Sequence, residues 1–363
     1  MENLDLIYYC VLLSVLSLLI IFYGIQSWKK KRTINILLWG MISAFLASCF
    51  DIISSSPWED VVPFPLFTTL QICFYSLTLF IWYIHLERVL SLKVESHRYA
   101  IVVFLTALTM ISVWFTLFFY ETPLVFESLW VIVDLGINLL GLFVFLGMGV
   151  YIHRTVYKYS RSRMNLAMLL VYFFIGSSFG FILFSEYCTW LPLQTFADII
   201  GNLGYFFQLI GLLLLMTIYA FHIDRIYQLP FDVYEILIAY KQSGNLINAV
   251  SFTSKKQVNC DNHLISSLLT AMNGLFGELF TGRKNIQHIA GTQASLIFEV
   301  GQHTIAIIIS ERISYYLVQS LKNYVKDFEL KFKDPLLQQN ANQSTFKNID
   351  EILKLDFPYC IRK

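Results

Sequence analysis

Several polar side chains interrupt the apolar stretches of the first 230 residues, and six of them are acids and amides that together could bind a cation. A carboxylate at membrane depth is costly, and it normally points into a helix bundle or a wet cavity. Carboxylates flanked by amides could hold a cation or an amine there, so we expect a small cationic ligand. The residues of this predicted ligand pocket are Asp51, Gln71, Asp134, Asn138, Asp198 and Asn202.

The spacing of these residues places several of them on common helix faces. Asp134 and Asn138 are one helical turn apart, and Asp198, Asn202 and Tyr205 follow one another at single-turn intervals. Two interpretations remain open. The side chains form a ligand or ion pocket, or they make structural hydrogen bonds between helices while acids at the rim are solvated by headgroup water.

Other chemistries find less support in the sequence. A retinal protein needs a lysine on its last span, and residues 196–222 contain none. The histidines near the spans lack the HxxxH and HExxH spacings of a metal site, so we predict no metal and no cofactor. The net charge of +1, without a basic groove, disfavours nucleic acid as a partner.

Seven apolar stretches must position these polar residues. Each is near or above the roughly 20 residues that cross a bilayer, and helix is the structure that pairs its own backbone groups in lipid. We therefore predict an α-helical bundle of seven transmembrane helices over residues 1–228. The predicted spans are 5–27, 34–55, 65–87, 99–120, 127–152, 165–188 and 196–222.

The basic residues predict the orientation of these spans. The chain has 26 Lys and Arg, and the 12 that precede Pro230 all fall in alternate loops or after the seventh span. Because cationic loops resist translocation, we expect a multi-pass cell membrane protein with its N-terminus outside and its C-terminus in the cytoplasm. The six polar residues then lie in the outer half of the bundle and form what we call the outer-half pocket.

Two local motifs add detail to the bundle. The small residues Gly176, Ser177, Ser178 and Gly180 in the sixth span predict a face for close helix approach. The sequence Glu87-Arg88-Val89 resembles the acidic-Arg pair of G-protein-coupled receptors, although span seven has no NPxxY motif. The layout as a whole also resembles the seven-pass sensor modules that precede bacterial and archaeal signalling domains.

Residues 229–363 have a different character, and we predict that they form a cytoplasmic α/β domain. Strands are expected at 234–240 and 246–252 around the turn Gln242-Ser243-Gly244-Asn245, then a helix at 263–280. One or two strands follow within 286–300, then a strand at 304–309 and helices at 313–333 and 349–355. The predicted order is ββαβ(β)βαα with a mostly antiparallel sheet.

This order resembles the longin/roadblock superfamily of small α/β domains. The likeness is carried by ILIAYKQSGNLINAVSF, LISSLLTAMNGLFGELF, SLIFEVGQHTIAIIIS and LVQSLKNYVKDFELKF, within residues 235–357. The absence of a helix before the first strand favours longin over roadblock. Members of the superfamily serve as platforms for small GTPases and usually have no catalytic residues of their own.

The resemblance implies a binding function rather than an enzyme. We expect a receptor-like or scaffold membrane protein whose longin-like domain docks or regulates a small GTPase or a related longin/roadblock protein. No GxxxxGK[ST] phosphate loop is present in the sequence, so we do not expect this domain to hydrolyse nucleotides itself. The alternative is a transporter or channel that uses the outer-half pocket.

Overall fold

The computed structural model describes residues 2–29, 36–54, 65–189, 193–222, 229–252, 288–291, 294–337, 346 and 349–357. The chain divides into two compact units. The first comprises Met1–Glu87 with Val94–Ile226, and the second comprises Arg88–Lys93 with Tyr227–Lys363.

Long apolar helices make up the first unit. Among the described residues, seven helical runs are long and apolar enough to cross a membrane, which confirms the seven predicted spans. The fifth span is one continuous run from Pro123 to Lys158, built from two α-helices with a π-helical segment, Leu142–Gly149, between them. The α-helices are α1 (Glu2–Lys29), α2 (Ile36–Ser54), α3 (Leu66–Leu90), α4 (Ser96–Phe118), α5 (Pro123–Gly141), α6 (Val150–Ser160), α7 (Arg163–Thr189) and α8 (Gln194–His222).

Helices that follow one another in the sequence pack together in this unit. Contacts join α1 to α2, α4 to α5 and α7 to α8, and α1 also packs on α8. The predicted small face is confirmed at Gly176. A Cβ atom built on Gly176 would meet the backbone nitrogen of Leu146 at 2.6 Å, so α7 approaches the π-helical segment too closely for any larger side chain. At Gly180 the nearest atom to such a Cβ lies at 3.5 Å, an ordinary contact.

A five-stranded antiparallel sheet forms the centre of the second unit, as predicted. Its order is β2-β1-β5-β4-β3, with every neighbouring pair antiparallel. The predicted turn is confirmed as well, because Gly244 has a φ of 70°, which favours glycine. The strands are β1 (Val233–Tyr240), β2 (Leu246–Ser251), β3 (His288–Ala290), β4 (Ser295–Val300) and β5 (Thr304–Ser310).

The described part of this unit contains the helices α9 (Tyr315–Lys331), α10 (Lys333–Leu337) and α11 (Ile349–Asp356). Ser314 caps α9, since its hydroxyl accepts a hydrogen bond from the backbone N–H of Leu317 at 3.2 Å. An apolar face runs along α9 and the residue that follows it, and its five members are all buried in one core with the sheet. They are Leu317, Leu321, Tyr324, Phe328 and Phe332.

Both faces of the sheet are buried. Ile236 and Ile308 face the core that contains α9, whereas Leu237 and Ile307 belong to a second apolar cluster. The central strands β1 and β5 are therefore apolar over most of their length, which is the pattern of strands that are covered on two sides. The helix predicted at residues 263–280 lies outside the described residues.

Candidate functional site

Two residues of the predicted outer-half pocket lie on α5, one turn apart. Asn138 is buried, and its side-chain amide donates a 2.9 Å hydrogen bond to the backbone carbonyl of Asp134. Asp134 is half-buried and interacts electrostatically with Glu186 near the end of α7. The structure thus brings together the acids of spans five and six.

The other four residues of the predicted pocket are spread over three helices. Asp51 on α2 and Gln71 on α3 are half-buried, and Asp51 interacts electrostatically with Tyr75. Asp198 and Asn202 on α8 are exposed. Helical spacing shows which residues share a face but not where that face points, and here the face of α8 that carries Asp198 and Asn202 points outward. Binding of a cation by the six residues remains a prediction.

A cavity of about 60 Å³ lies within the bundle, close to some of these residues but lined by others. Helices α1, α2, α3, α7 and α8 and the π-helical segment all contribute to its wall. Its polar side chains include Ser48, Tyr75, Thr78 and Gln208. Ser48 lies three residues before Asp51, and Tyr75 lies four residues after Gln71. Among the described residues that line it, none is Asp, Glu, Lys, Arg or His.

A hydrogen bond between two helices that are far apart in the sequence holds the polar part of this cavity together. The side-chain amide of Gln208 on α8 donates to the hydroxyl of Tyr75 on α3 at 2.8 Å. Gln208 is 9% exposed, so this bond lies in an apolar interior. Sequence reasoning missed Gln208. The available signal was an isolated amide in the apolar run YFFQLIGLLLL, because polar residues inside a span are usually functional or pair across helices.

The other polar groups of the cavity are satisfied within their own helices. The Ser48 hydroxyl donates to the carbonyl of Ala44 at 3.0 Å, and the Thr78 hydroxyl donates to the carbonyl of Phe74 at 2.9 Å. Each of these bonds spans a single helical turn. The contact between Tyr75 and Gln208 therefore differs from them, because it joins two separate helices across the cavity.

The apolar wall of the cavity has an aromatic part and an aliphatic part. The rings of Tyr75, Phe179, Phe145 and Trp82 follow one another, with centroid separations of 6.3, 6.0 and 5.4 Å. Leucines of α1 and α8 form much of the aliphatic part. These leucines are Leu12, Leu16, Leu19, Leu212 and Leu215.

A second polar cluster connects the end of α3 to the start of α4. The Glu87 side chain is fully buried, and its carboxylate accepts hydrogen bonds from the backbone N–H of Glu95 at 3.0 Å and from the Arg98 guanidinium at 2.8 Å. Arg98 also pairs with the exposed carboxylate of Glu95 at 3.1 Å. The acid of the Glu87-Arg88 motif therefore fixes the turn between two spans in this structure.

In the second unit, the Glu329 carboxylate accepts four hydrogen bonds at the turn between β4 and β5. The donors are the backbone N–H groups of Gln302, His303 and Thr304 and the Thr304 hydroxyl, at 2.8–3.0 Å. Burial alone would raise the pKa of Glu329, but these hydrogen bonds outweigh burial and hold the pKa below its ordinary value. This carboxylate therefore holds the turn between β4 and β5 against α9.

Two further carboxylates of this unit have partners. Glu235 on β1 is 9% exposed and accepts a hydrogen bond from the Ser251 hydroxyl at 3.1 Å. Glu351 on α11 forms a 2.7 Å ion pair with Lys331 on α9. Within the part of the chain that the structure describes, no three His, Cys, Asp or Glu side chains are grouped so that they could hold a metal ion.

Three large apolar side chains are exposed on helices α9, α10 and α11. Leu330 on α9 is 68% exposed, Leu337 on α10 is 58% exposed and Leu355 on α11 is 37% exposed. Burying such side chains against a partner would remove them from water, which is favourable in proportion to the area covered. They are candidate contacts for a protein partner.

Comparison with known proteins finds no matching family model, no matching curated protein and no matching solved structure. The longin/roadblock likeness accordingly remains a resemblance in element order and sequence pattern.

Proposed function

We propose that this chain is a receptor-like or scaffold membrane protein with a longin-like docking domain. The domain would dock or regulate a small GTPase or a related longin/roadblock protein. The observation that carries this proposal is the antiparallel sheet β2-β1-β5-β4-β3 covered by α9, in a chain that also has seven apolar helices. This arrangement joins a membrane anchor to a small α/β domain, and superfamily members of that kind act as platforms for GTPases.

The partners of two glutamates in the domain favour docking over catalysis. A general acid or base must be free to exchange a proton with a substrate. Glu329 instead accepts four hydrogen bonds from its own chain, and Glu351 is paired with Lys331. We therefore propose a binding module and not an enzyme.

The orientation of the protein follows from its basic residues. Seven spans put the two termini on opposite sides of the membrane. The 12 basic residues before Pro230 assign the C-terminal side to the cytoplasm. A domain on that side is available to small GTPases, which act at the inner leaflet.

We propose that the exposed leucines of α9 and α10 form part of the docking surface. Protein interfaces are usually centred on apolar side chains with a polar rim. Leu330 and Leu337 supply apolar area, and the exposed Lys326, one turn before Leu330, supplies a rim charge. The alternative of a transporter has less support, because Asp198 and Asn202 are exposed on α8.

Site-directed cross-linking of the full chain in its native membrane tests this proposal. A photoreactive amino acid at position 330 should capture a small GTPase or a longin/roadblock protein, with a higher yield when a non-hydrolysable GTP analogue is present. The same residue at position 124 is the matched control, because Leu124 is 81% exposed and lies at the start of the fifth span, outside the domain. Capture at position 330 of lipid alone, or of a partner that ignores the nucleotide and belongs to neither class, would overturn the proposal.

A further inference from the structure

We infer that the cavity in the membrane bundle binds an uncharged ring compound that carries a hydrogen-bond-accepting oxygen. The inference concerns the first unit alone and does not depend on which partner the α/β domain binds. Three features of the cavity carry it: its size, its wall and a hydrogen-bond donor.

The size of the cavity fits one substituted ring. A cavity needs roughly 10–15 Å³ of free volume for the centre of a water molecule to hold one water. The 60 Å³ of this cavity therefore corresponds to about four to six water molecules, or roughly 120–180 Å³ of liquid. This is the space that a single ring with a small substituent occupies, and a long, fully enclosed ligand would not fit.

The wall of the cavity selects against charge and in favour of an aromatic ring. Because none of the described lining residues is acidic, basic or histidine, an ionised ligand would lose its hydration without a lining charge to replace it. Phe145 and Phe179 are stacked at an interplanar angle of 12°, and Trp82 continues the same wall. A flat ring could pack against this wall with the geometry that aromatic pairs prefer.

Tyr75 supplies the hydrogen-bond donor. Its hydroxyl oxygen accepts the bond from Gln208, and among the described residues no acceptor takes the proton of that hydroxyl. A tyrosine hydroxyl can donate one hydrogen bond while it accepts another. An apolar cavity that contains an available donor is complementary to a ligand with a carbonyl or ether oxygen, because that oxygen removes the cost of the unmet hydrogen bond.

Binding of three matched probes to the full chain in detergent tests the inference. Acetophenone has both the ring and the oxygen, α-methylstyrene replaces the oxygen by a methylene group, and methyl cyclohexyl ketone replaces the aromatic ring. A bound ligand raises the unfolding temperature in proportion to its occupancy, so thermal unfolding over a range of probe concentrations reports affinity. We expect acetophenone to bind roughly tenfold more tightly than α-methylstyrene, the value of one hydrogen bond. We also expect it to bind more tightly than methyl cyclohexyl ketone.

Tyr75→Phe should reduce the affinity for acetophenone to that for α-methylstyrene. The control Tyr205→Phe should preserve the difference, because Tyr205 is exposed and does not line the cavity. Should Tyr75→Phe fail to fold, the probe series on the unmodified protein still decides the matter. If a membrane quinone competes with acetophenone, the natural ligand is a lipid with a ring headgroup. If acetophenone binds and the quinone does not compete, the natural ligand is a free ring compound. Equal affinities for all three probes, or no binding of any, would overturn the inference.

Discussion

Gln208 and Tyr75 are 133 positions apart in the sequence, yet the side-chain amide of Gln208 donates a 2.8 Å hydrogen bond to the Tyr75 hydroxyl. This bond connects the third span to the seventh across a cavity whose walls are otherwise mainly apolar. In lipid, apolar surfaces alone specify helix contacts weakly, because the acyl chains are as apolar as the side chains. The bond therefore helps to define how α3 and α8 pack.

Replacing Gln208 by Leu should destabilise the bundle. The substitution keeps the volume of the side chain but leaves the buried Tyr75 hydroxyl without its donor. We expect a loss of roughly 1–2 kcal/mol, the upper range for hydrogen bonds between membrane helices. Thermal unfolding in detergent measures the effect, with Gln194→Leu as the control because Gln194 is exposed at the start of the same helix. Equal unfolding temperatures for the two variants would contradict the account.

Replacing Gly176 by Ala should disturb the packing of α7 against the π-helical segment. The new Cβ atom would lie 2.6 Å from the backbone nitrogen of Leu146, and a backbone atom cannot move aside as a flexible side chain can. Overpacking of this kind costs roughly 1–3 kcal/mol. Gly180→Ala is the matched control on the same helix, since its Cβ atom would have an ordinary contact at 3.5 Å. Comparison of the folded yield and the unfolding temperature of the two variants tests the prediction, which fails if Gly180→Ala is the more harmful change.

Replacing Glu87 by Gln should weaken the turn between α3 and α4. The Glu87 side chain is fully buried, and its carboxylate holds both the Arg98 guanidinium and the backbone N–H of Glu95. Hydrogen bonds to charged groups contribute roughly 1.5–3 kcal/mol each. Glu95→Gln removes the other partner of Arg98, but the Glu95 side chain is 63% exposed, so its effect should be at most about 1 kcal/mol. The ranking of the two variants by unfolding temperature is the test, and a reversed ranking would refute it.

Glu329 should make the α/β domain sensitive to acid. The pKa of Glu329 is lower in the folded domain than in the unfolded chain, where a glutamate has a pKa of about 4.3. The carboxylate therefore stabilises the fold above that pH, and the stabilisation is lost as the pH falls through the lowered folded value. Glu329→Gln should lower the free energy of unfolding at neutral pH. The variant should also lose less of its stability than the unmodified protein as the pH is lowered into the acid range, which we call the acid limb.

The control for this experiment is Glu351→Gln, which removes a carboxylate that is 70% exposed and paired with Lys331. That variant should retain the acid limb of the unmodified protein. Gly301→Ala should act like Glu329→Gln, since a Cβ atom at Gly301 would overlap the Glu329 carboxylate. Combining the two changes should cost little more than either alone, because both disrupt the same set of hydrogen bonds.

The two termini should lie on opposite sides of the membrane. The one-sided distribution of the 12 basic residues before Pro230 predicts that an N-terminal tag is accessible on intact cells. A C-terminal tag should become accessible only after permeabilisation. Detection of both tags on the same side would contradict a seven-span topology, and the reverse assignment would contradict the orientation.

Local sequence patterns predicted most of the fold. The repeat of Leu317, Leu321, Tyr324 and Phe328 places an apolar residue on one face of a helix at every turn, and all four are buried in α9. The turn at Gly244 was predictable because a tight reversal between two strands favours a residue that tolerates positive φ. The number of spans was predictable for the same reason, because it depends only on the length of each apolar run in the sequence.

The residues that line the cavity were less predictable, because they depend on how each helix is rotated in the bundle. The spacing of Asp198 and Asn202 showed that they share a face, but it did not show that this face is exposed. Ser48 and Tyr75 are close in sequence to predicted residues and do line the cavity, whereas Gln208 was missed. The partner of Gln208 lies on a helix far away in the sequence, so no local pattern could identify it.

The proposed docking function can be measured directly by titration with purified partners. The full chain in lipid nanodiscs would be titrated with small GTPases of its source organism, each loaded with GDP or with a non-hydrolysable GTP analogue, and with its longin/roadblock proteins. The account predicts saturable binding of at least one of these proteins. That binding should be weakened when Leu330 and Leu337 are both replaced by Gln, and little changed by Lys326→Gln. Absence of saturable binding across the panel, or binding that is equally strong in both variants and in the unmodified chain, would contradict it.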